Sequence, residues 1–489
     1  MRTRLLSLVA GLAFAASLFS AGLVGGQQLG NTENRAYTHV EYLVSIAPRF
    51  AGTEAEAIAA SYIENEFRRY GLEAWSENFA VQNSYLIEEN RLRVISPEQF
   101  ELKFVPILYS PSAENVAGKL ARAVELPENY EQLQNHFVLI DRGKLEPFVG
   151  GMGEELPLAI LTYYDKWPAY FEPPWTIQLK VPLLWISSWD AERLIELLKQ
   201  ENVEVELQFK ARAENLVSQN VLALLRGRSD EIIVVGAHHD SVMTPGAVDD
   251  ASGVAVVLEI AWALSTENLP RTILFATFGS EELGLLGSAA FMREHAENKI
   301  VAAIIFGSIA AGPENGLRVG LLDSGSYATT EWLDFFIQDL ARNLGFYVKS
   351  EHLSAIGGYS DHVSFTRAGV PATWIFWANP KGGKVIWPIH TLGDNLDAVD
   401  NVRLEQTASF GVQLVRWLAG QDLEALRLAY EYPLLLAAFA TLGTGVVVLS
   451  IAAGSFLHYR KGWSWSQAVW VFSIVTAAML VVIYLLVLA

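Results

Sequence analysis

Three uninterrupted apolar runs, at residues 232–237, 272–278 and 301–305, constrain this chain more than any other feature. Runs of this kind, without polar alternation, are strands buried on both faces, and helical stretches at 254–265 and after Gly287 lie between them. Strand–helix alternation predicts an α/β fold, a mostly parallel, mixed sheet with helices on both faces. Ligands collect beyond the carboxyl ends of the strands in such sheets, and the unusual residues fall there. Gly-Ala-His-His-Asp-Ser-Val occupies 236–242, Pro-Gly-Ala-Val-Asp-Asp-Ala-Ser-Gly occupies 245–253, and Ser-Glu-Glu-Leu-Gly-Leu-Leu-Gly-Ser occupies 280–288.

Each element admits a specific chemistry. His238 and Asp240 stand two apart at a strand end and point the same way; a ligating imidazole needs a carboxylate on its other nitrogen to fix its tautomer. His239 points elsewhere and reads as a surface or packing histidine. Asp249 and Asp250 precede a helix, where a pair of aspartates either caps the N-terminus or bridges two cations. Side chains of the neighbours Glu281 and Glu282 diverge, so one carboxylate can bind metal while the other takes a proton from water. Leu283, Leu285 and Leu286 argue against a fully solvated turn. Downstream, Ile389, His390 and Thr391, with Asp394 shortly after, offer a nitrogen donor. The chain has no cysteine, so thiolate nucleophiles and cysteine-ligated zinc are excluded and His, Asp and Glu must hold any metal.

Charge and the chain ends bound the setting. Thirty-five Lys and Arg against 54 Asp and Glu give a net charge of -19, which argues against nucleic acid as a partner and suits a positively charged group such as a peptide amino terminus. Residues 5–26 carry no charge and follow Arg2 and Arg4, as in a signal anchor or a signal peptide cleaved near Ser20, Ala21 and Gly22, with the anchor favoured. Residues 433–457 and 468–488 lack Asp, Glu, Lys and Arg and read as a transmembrane hairpin that brings in the lipid bilayer as a partner. The loop between them contains His458, Tyr459, Arg460 and Lys461. The positive-inside rule therefore predicts a multi-pass protein of the cell membrane, with residues from about 30 to 430 on the non-cytoplasmic side.

The remainder divides into a helical N-terminal stretch, with a helix at 55–70 stopped by Gly71, strand-like alternation to about Leu102, and a distinct unit at 105–212. That unit has apolar strand runs at 137–143, 158–163 and 181–187, an amphipathic helix at 189–200 and an alternating strand at 203–209. Its order resembles the protease-associated domain inserted in membrane and secreted peptidases. The expected division is 31–104 with 213–425 as one discontinuous domain and 105–212 as the insert.

In order and spacing, the 236–242, 249–253 and 280–288 motifs, with Ser360, Asp361 and His362 and with Ile389 to Thr391, resemble the zinc aminopeptidase family that includes bacterial leucyl aminopeptidases and glutamate carboxypeptidases. Pro48 to Thr53 is similar to that family's N-terminal segment. The resemblance covers about residues 31 to 420 and implies a phosphorylase/hydrolase-like fold. It implies Asp249 as a bridging ligand, Glu282 and His390 completing one zinc site, and His238 serving a second with Asp240 behind it. Glu281 becomes the general base, Asp250 follows a cis peptide bond, and Ser360, Asp361 and His362 line the substrate side. One carboxylate of the family pattern is missing: Ser308 stands where the second metal's own aspartate belongs, so one zinc site is secure and the second is not. Three protein ligands plus water suffice for a catalytic zinc. The leading expectation is a membrane-anchored zinc aminopeptidase acting on peptides with a free N-terminus. The alternatives are a single-zinc acyl transferase like the glutaminyl cyclases, and a non-catalytic membrane scaffold of the same fold.

Overall fold

The computed structural model describes residues 35–127, 130–154, 156–170, 179–311, 316–321, 329–352, 358–378, 388–432 and Ser464. The apolar stretches at 5–26, 433–457 and 468–488 lie outside the described residues; among those described, no helix is long and apolar enough to cross a membrane. Gln28–Gly420 forms one compact unit. In the other, which joins 1–27 with 421–489, the helix Leu423–Glu431 is described, its N-terminus capped by Asp422.

The large unit is built on one sheet. Its strands are β1 (Glu73–Ser96), β2 (Phe100–Leu102), β3 (Phe104–Pro106), β4 (Ala113–Ala123), β5 (His136–Asp141), β6 (Ala159–Tyr163), β7 (Leu183–Ile186), β8 (Glu204–Leu225), β9 (Ile232–His238), β10 (Thr272–Phe278), β11 (Ile300–Phe306), β12 (Gly316–Leu321), β13 (Lys349–His352) and β14 (Ala372–Ala378). They lie in the order β13-β12-β14-β11-β9-β10-β8-β4-β5-β6-β7-β3, with β1 on β8 and β2 on β1. β10, β9, β11 and β14 are mutually parallel, so their carboxyl ends share one edge. β8 and β12 run antiparallel to them, which makes the sheet mixed, as expected of this α/β class.

Chain direction places helices on both faces. The step from β9 to β10 moves one way along the sheet and the step from β10 to β11 moves back past β9. Right-handed crossovers then put the two connecting helices, Ser252–Leu264 and Leu286–Glu294, on opposite faces. Ser252–Leu264 is apolar almost all round because it packs on the sheet and also against helices Arg35–Ser45 and Asn401–Gly420. Its one acid, Glu259, is bound through both oxygens by Arg35, at 2.6 and 2.7 Å. Across the sheet, Phe278, Phe291 and Phe365 meet at 5.7 to 6.0 Å and seat Leu286–Glu294 and His362–Arg367.

One element departs from the sequence reading. The strand expected at 203–209 is one end of the continuous β8, which runs on to Leu225 and pairs along its length with β1. The middle of β8, residues 210–216, is largely exposed. A ribbon wetted in this way has no buried face, so it shows no apolar alternation. β4 joins this ribbon, and through it β5, β6, β7 and β3 extend the same sheet.

Candidate active site and metal centre

Buried carboxylates place the backbone before any ligand is considered. The Asp249–Asp250 peptide is cis. The Asp250 carboxylate accepts three amides, from His238 (3.2 Å), Gly253 (3.0 Å) and Ser308 (3.0 Å), and so ties the ends of β9 and β11 to the helix between β9 and β10. A side chain at 253 would put its Cβ 2.4 Å from Asp250 Oδ1, so glycine is required for that approach. Asp240 accepts the consecutive amides of Glu281 (3.0 Å) and Glu282 (3.1 Å), one on each oxygen. Behind it, fully buried Glu56 accepts the amide of Ser280 at 3.0 Å together with the Ser218 hydroxyl at 2.8 Å. Ser280 itself is held at φ 54°, a conformation its non-glycine side chain adopts only when fixed by surroundings. Three successive amides of the Glu–Glu turn are thus anchored by two buried acids from distant segments. Asp394 likewise accepts the amides of Val248 (2.6 Å) and Asp249 (3.2 Å).

A buried cation closes this layer. Arg49, wholly inaccessible, donates to the carbonyls of Leu43, His239, Pro245 and Gly246 at 2.9 to 3.0 Å. Burial lowers its pKa to about 10, with Asp394, Asp240, Asp250 and Asp249 opposing the drop. It fixes the 239–246 loop and offsets part of the surrounding negative charge.

Donor atoms converge at the strand edge. His390 Nε2 lies 3.2 Å from Asp249 Oδ2 and 3.1 Å from Glu282 Oε2. Zinc bonds of about 2.0–2.1 Å at tetrahedral angles hold their donors about 3.3 Å apart, so both distances from His390 suit a shared zinc, and the Asp249 and Glu282 oxygens lie within 4.8 Å of one another. Glu282 Oε1 is buried without a hydrogen-bond partner among the described residues, an orphan expected where a cation belongs. On the other side, His238 Nε2 lies 3.2 Å from Asp249 Oδ1, so the single aspartate turns one oxygen toward each histidine. His238 Nδ1 is 3.4 Å from Asp240.

The second grouping is poorer. Asp250 comes close enough to His238 and Asp249 to complete a trio of donors, yet its oxygens already serve the three amides above. Ser308, at φ 55°, fills the remaining direction and donates its hydroxyl to Asp249 Oδ1 at 3.3 Å.

Electrostatics agree with a cation site. Burial pulls the His390 and His238 pKa values down, but surrounding carboxylates outweigh it and leave both well above the ordinary histidine value, Glu282 leading for His390 and Glu281 for His238. Burial pushes Glu281 well above the usual carboxylate range, with Asp361, Glu282 and Asp240 adding to it and His238 opposing. Asp249 goes the opposite way, since hydrogen bonds from both histidines overcome the effect of burial. His390 is 41 % exposed, which opens this half of the site to solvent.

Ser360, Asp361 and His362 lie buried at the start of His362–Arg367, with the His362 ring stacked on Trp374 at 6.1 Å. Asp361 neighbours Glu281 and His238 electrostatically and is not among the converging donors. His239 is a packing histidine, fully buried and pushed by burial down to about 4. Sequence reasoning passed over Glu56 and Arg49 as parts of the site. Glu56 reads as an ordinary acid in a helix's first turn, and only its partners, far along the chain, reveal it.

A mixed sheet with His, Asp and Glu donors gathered beyond the carboxyl ends of its parallel strands is the arrangement of a metal-dependent enzyme. Residues 220–415 match the model of peptidase family M28, and this match, with the aminopeptidase relatives and zinc aminopeptidase structures below, supports a zinc-dependent metallopeptidase of the aminopeptidase type. The chain is 28% identical over 410 residues to Aminopeptidase YwaD of Bacillus subtilis (strain 168), covering 78% of this chain and 85% of that protein. The solved structure of BSAP, a zinc aminopeptidase from Bacillus subtilis, superposes with a TM-score of 0.61 at 25% identity, over 80% of this chain and 96% of that one. The Peptidase M28 precursor from Shewanella amazonensis SB2B shares the fold, with a TM-score of 0.59 at 20% identity over 85% and 97% of the two chains.

Proposed function

We propose that this protein is a membrane-anchored aminopeptidase that works with a single zinc held by Asp249, Glu282 and His390. The observation that carries this reading is the donor triangle at 3.1 and 3.2 Å with Glu281 on the adjoining residue. When bound, zinc supplies Lewis acidity for a peptide carbonyl and for water. Glu281 is the general base: its raised pKa suits it to take a proton from the attacking water and to pass it to the departing amine. Asp240 orients Glu281 and Glu282 through their amides, and the excess of carboxylates suits a substrate whose free N-terminus is protonated. The loss of a carboxylate at Ser308 supports one metal over two, because a neutral hydroxyl is a poor zinc ligand. Glu281→Gln should lower kcat on aminoacyl substrates by about 10²–10⁴-fold with zinc content unchanged. Full activity in this variant would refute the assigned base.

The anchoring reading rests on the apolar ends. In it, the peptidase part spans 31–104 and 213–425, the protease-associated-like unit spans 105–212, and both face away from the cytoplasm. Because the chain has no cysteine, a single Gly462→Cys substitution provides a unique probe. A membrane-impermeant maleimide should label it only after cells are permeabilised; labelling of intact cells would reverse the topology.

A further inference from the structure

We infer that residues 167–170, which follow β6, form a latch that sets the position of the zinc ligand His390; the inference rests on the zinc site proposed above. His390 sits in a loop at φ 60°, a conformation that a non-glycine residue keeps only when its surroundings impose it. The imposing contacts come from a segment some two hundred residues earlier. The Tyr170 amide donates to the His390 carbonyl at 2.7 Å and the Leu392 amide donates to the Pro168 carbonyl at 2.9 Å. Ala169 and Thr391 thereby form an isolated antiparallel bridge. The Tyr170 ring stands edge-on to the imidazole, 6.1 Å between centroids and perpendicular. One position further on, Gly393 lies directly beneath Trp167: a Cβ there would fall 2.4 Å from the indole.

The latch is itself fastened at its outer end. Trp167 packs against Trp189 at 6.2 Å, and Lys166 places its ammonium 5.2 and 4.9 Å from the two indoles. The Ser188 amide, at the start of helix Ser188–Leu198, donates to the Asp165 carbonyl at 2.9 Å. A continuous path therefore runs from that helix to the backbone of a metal ligand. Contacts that orient a ligand without touching the metal are worth about 10–100-fold in metal affinity. Tyr170 and Trp167 are positioning residues in this sense, and the unit that carries them is part of the metal centre as well as a neighbour of it.

The test is zinc affinity of the full-length protein, measured by competition with a chromogenic chelator, alongside the melting temperature of the zinc-free form. Gly393→Ala should weaken zinc binding by about 10–100-fold, and Trp167→Ala added to it should restore part of the loss, because the bridge can re-form once the indole is gone although the indole's own support is lost. Tyr170→Leu keeps an apolar side chain in the core where Tyr170 is buried and removes the ring that faces the imidazole, so it should weaken zinc binding with only a small fall in the zinc-free melting temperature; it is the deciding variant if Gly393→Ala does not fold. Unchanged affinity in Tyr170→Leu, or no rescue by Trp167→Ala, overturns the latch. A wild-type protein that takes up no zinc would instead overturn the zinc reading on which the latch depends.

Discussion

The two halves of the site share Asp249 and differ in what faces it. Around His390, three ionisable donors meet at 3.1 and 3.2 Å with an orphaned glutamate oxygen beside them. Around His238, the Ser308 hydroxyl bonds Asp249, and the nearest other carboxylate, Asp250, already accepts three backbone amides, two of them on one oxygen. A short distance to a carboxylate is therefore not enough to make a ligand; its lone pairs must also be free. By that criterion the His390 half offers the freer donors, and we propose it as the metal centre with the His238 half supporting it.

Substitution at the shared residue should produce the largest effect. Asp249→Ala removes an oxygen from both halves, and zinc content and turnover should both disappear; retention of zinc would mean that Glu282 and His390 hold it without the bridge. Asp240→Asn comes next. Its amide group cannot accept from both Glu281 and Glu282, so zinc affinity or kcat should fall by about 10–100-fold; wild-type values would show that the turn is set by Glu56 alone. Ser308→Asp sharpens the contrast most directly with the smallest expected change in rate. It should raise zinc content from one to two per chain, and a stoichiometry that stays at one would show that Asp250 and its amides close the second half regardless.

Much of this geometry could be read from the chain. The apolar runs located β9, β10 and β11, and the positions of His238, Asp240, Glu281 and Glu282 just after β9 and β10 put them at the carboxyl edge, where the structure also brings them together. Local pattern sufficed there because each residue's position follows from the strand it terminates. It did not suffice for residues whose meaning depends on a distant partner. Glu56 gives no sign in its own helix that it will hold Ser280, and Trp167 gives none that it will cover Gly393. The β1–β8 ribbon was invisible for a related reason, since its wet middle has no apolar face to betray it. Asp240 was legible only in part: the carboxylate behind His238 was expected, its grip on two consecutive amides was not.

We propose that one half of this site binds metal and the other does not. Zinc counted per chain in the full-length protein, purified with zinc present in excess and then freed of loosely held metal, tests it most directly. One zinc per chain is expected, lost in Asp249→Ala and retained in Glu281→Gln. Two tightly held zincs in the wild type, or none, would contradict it.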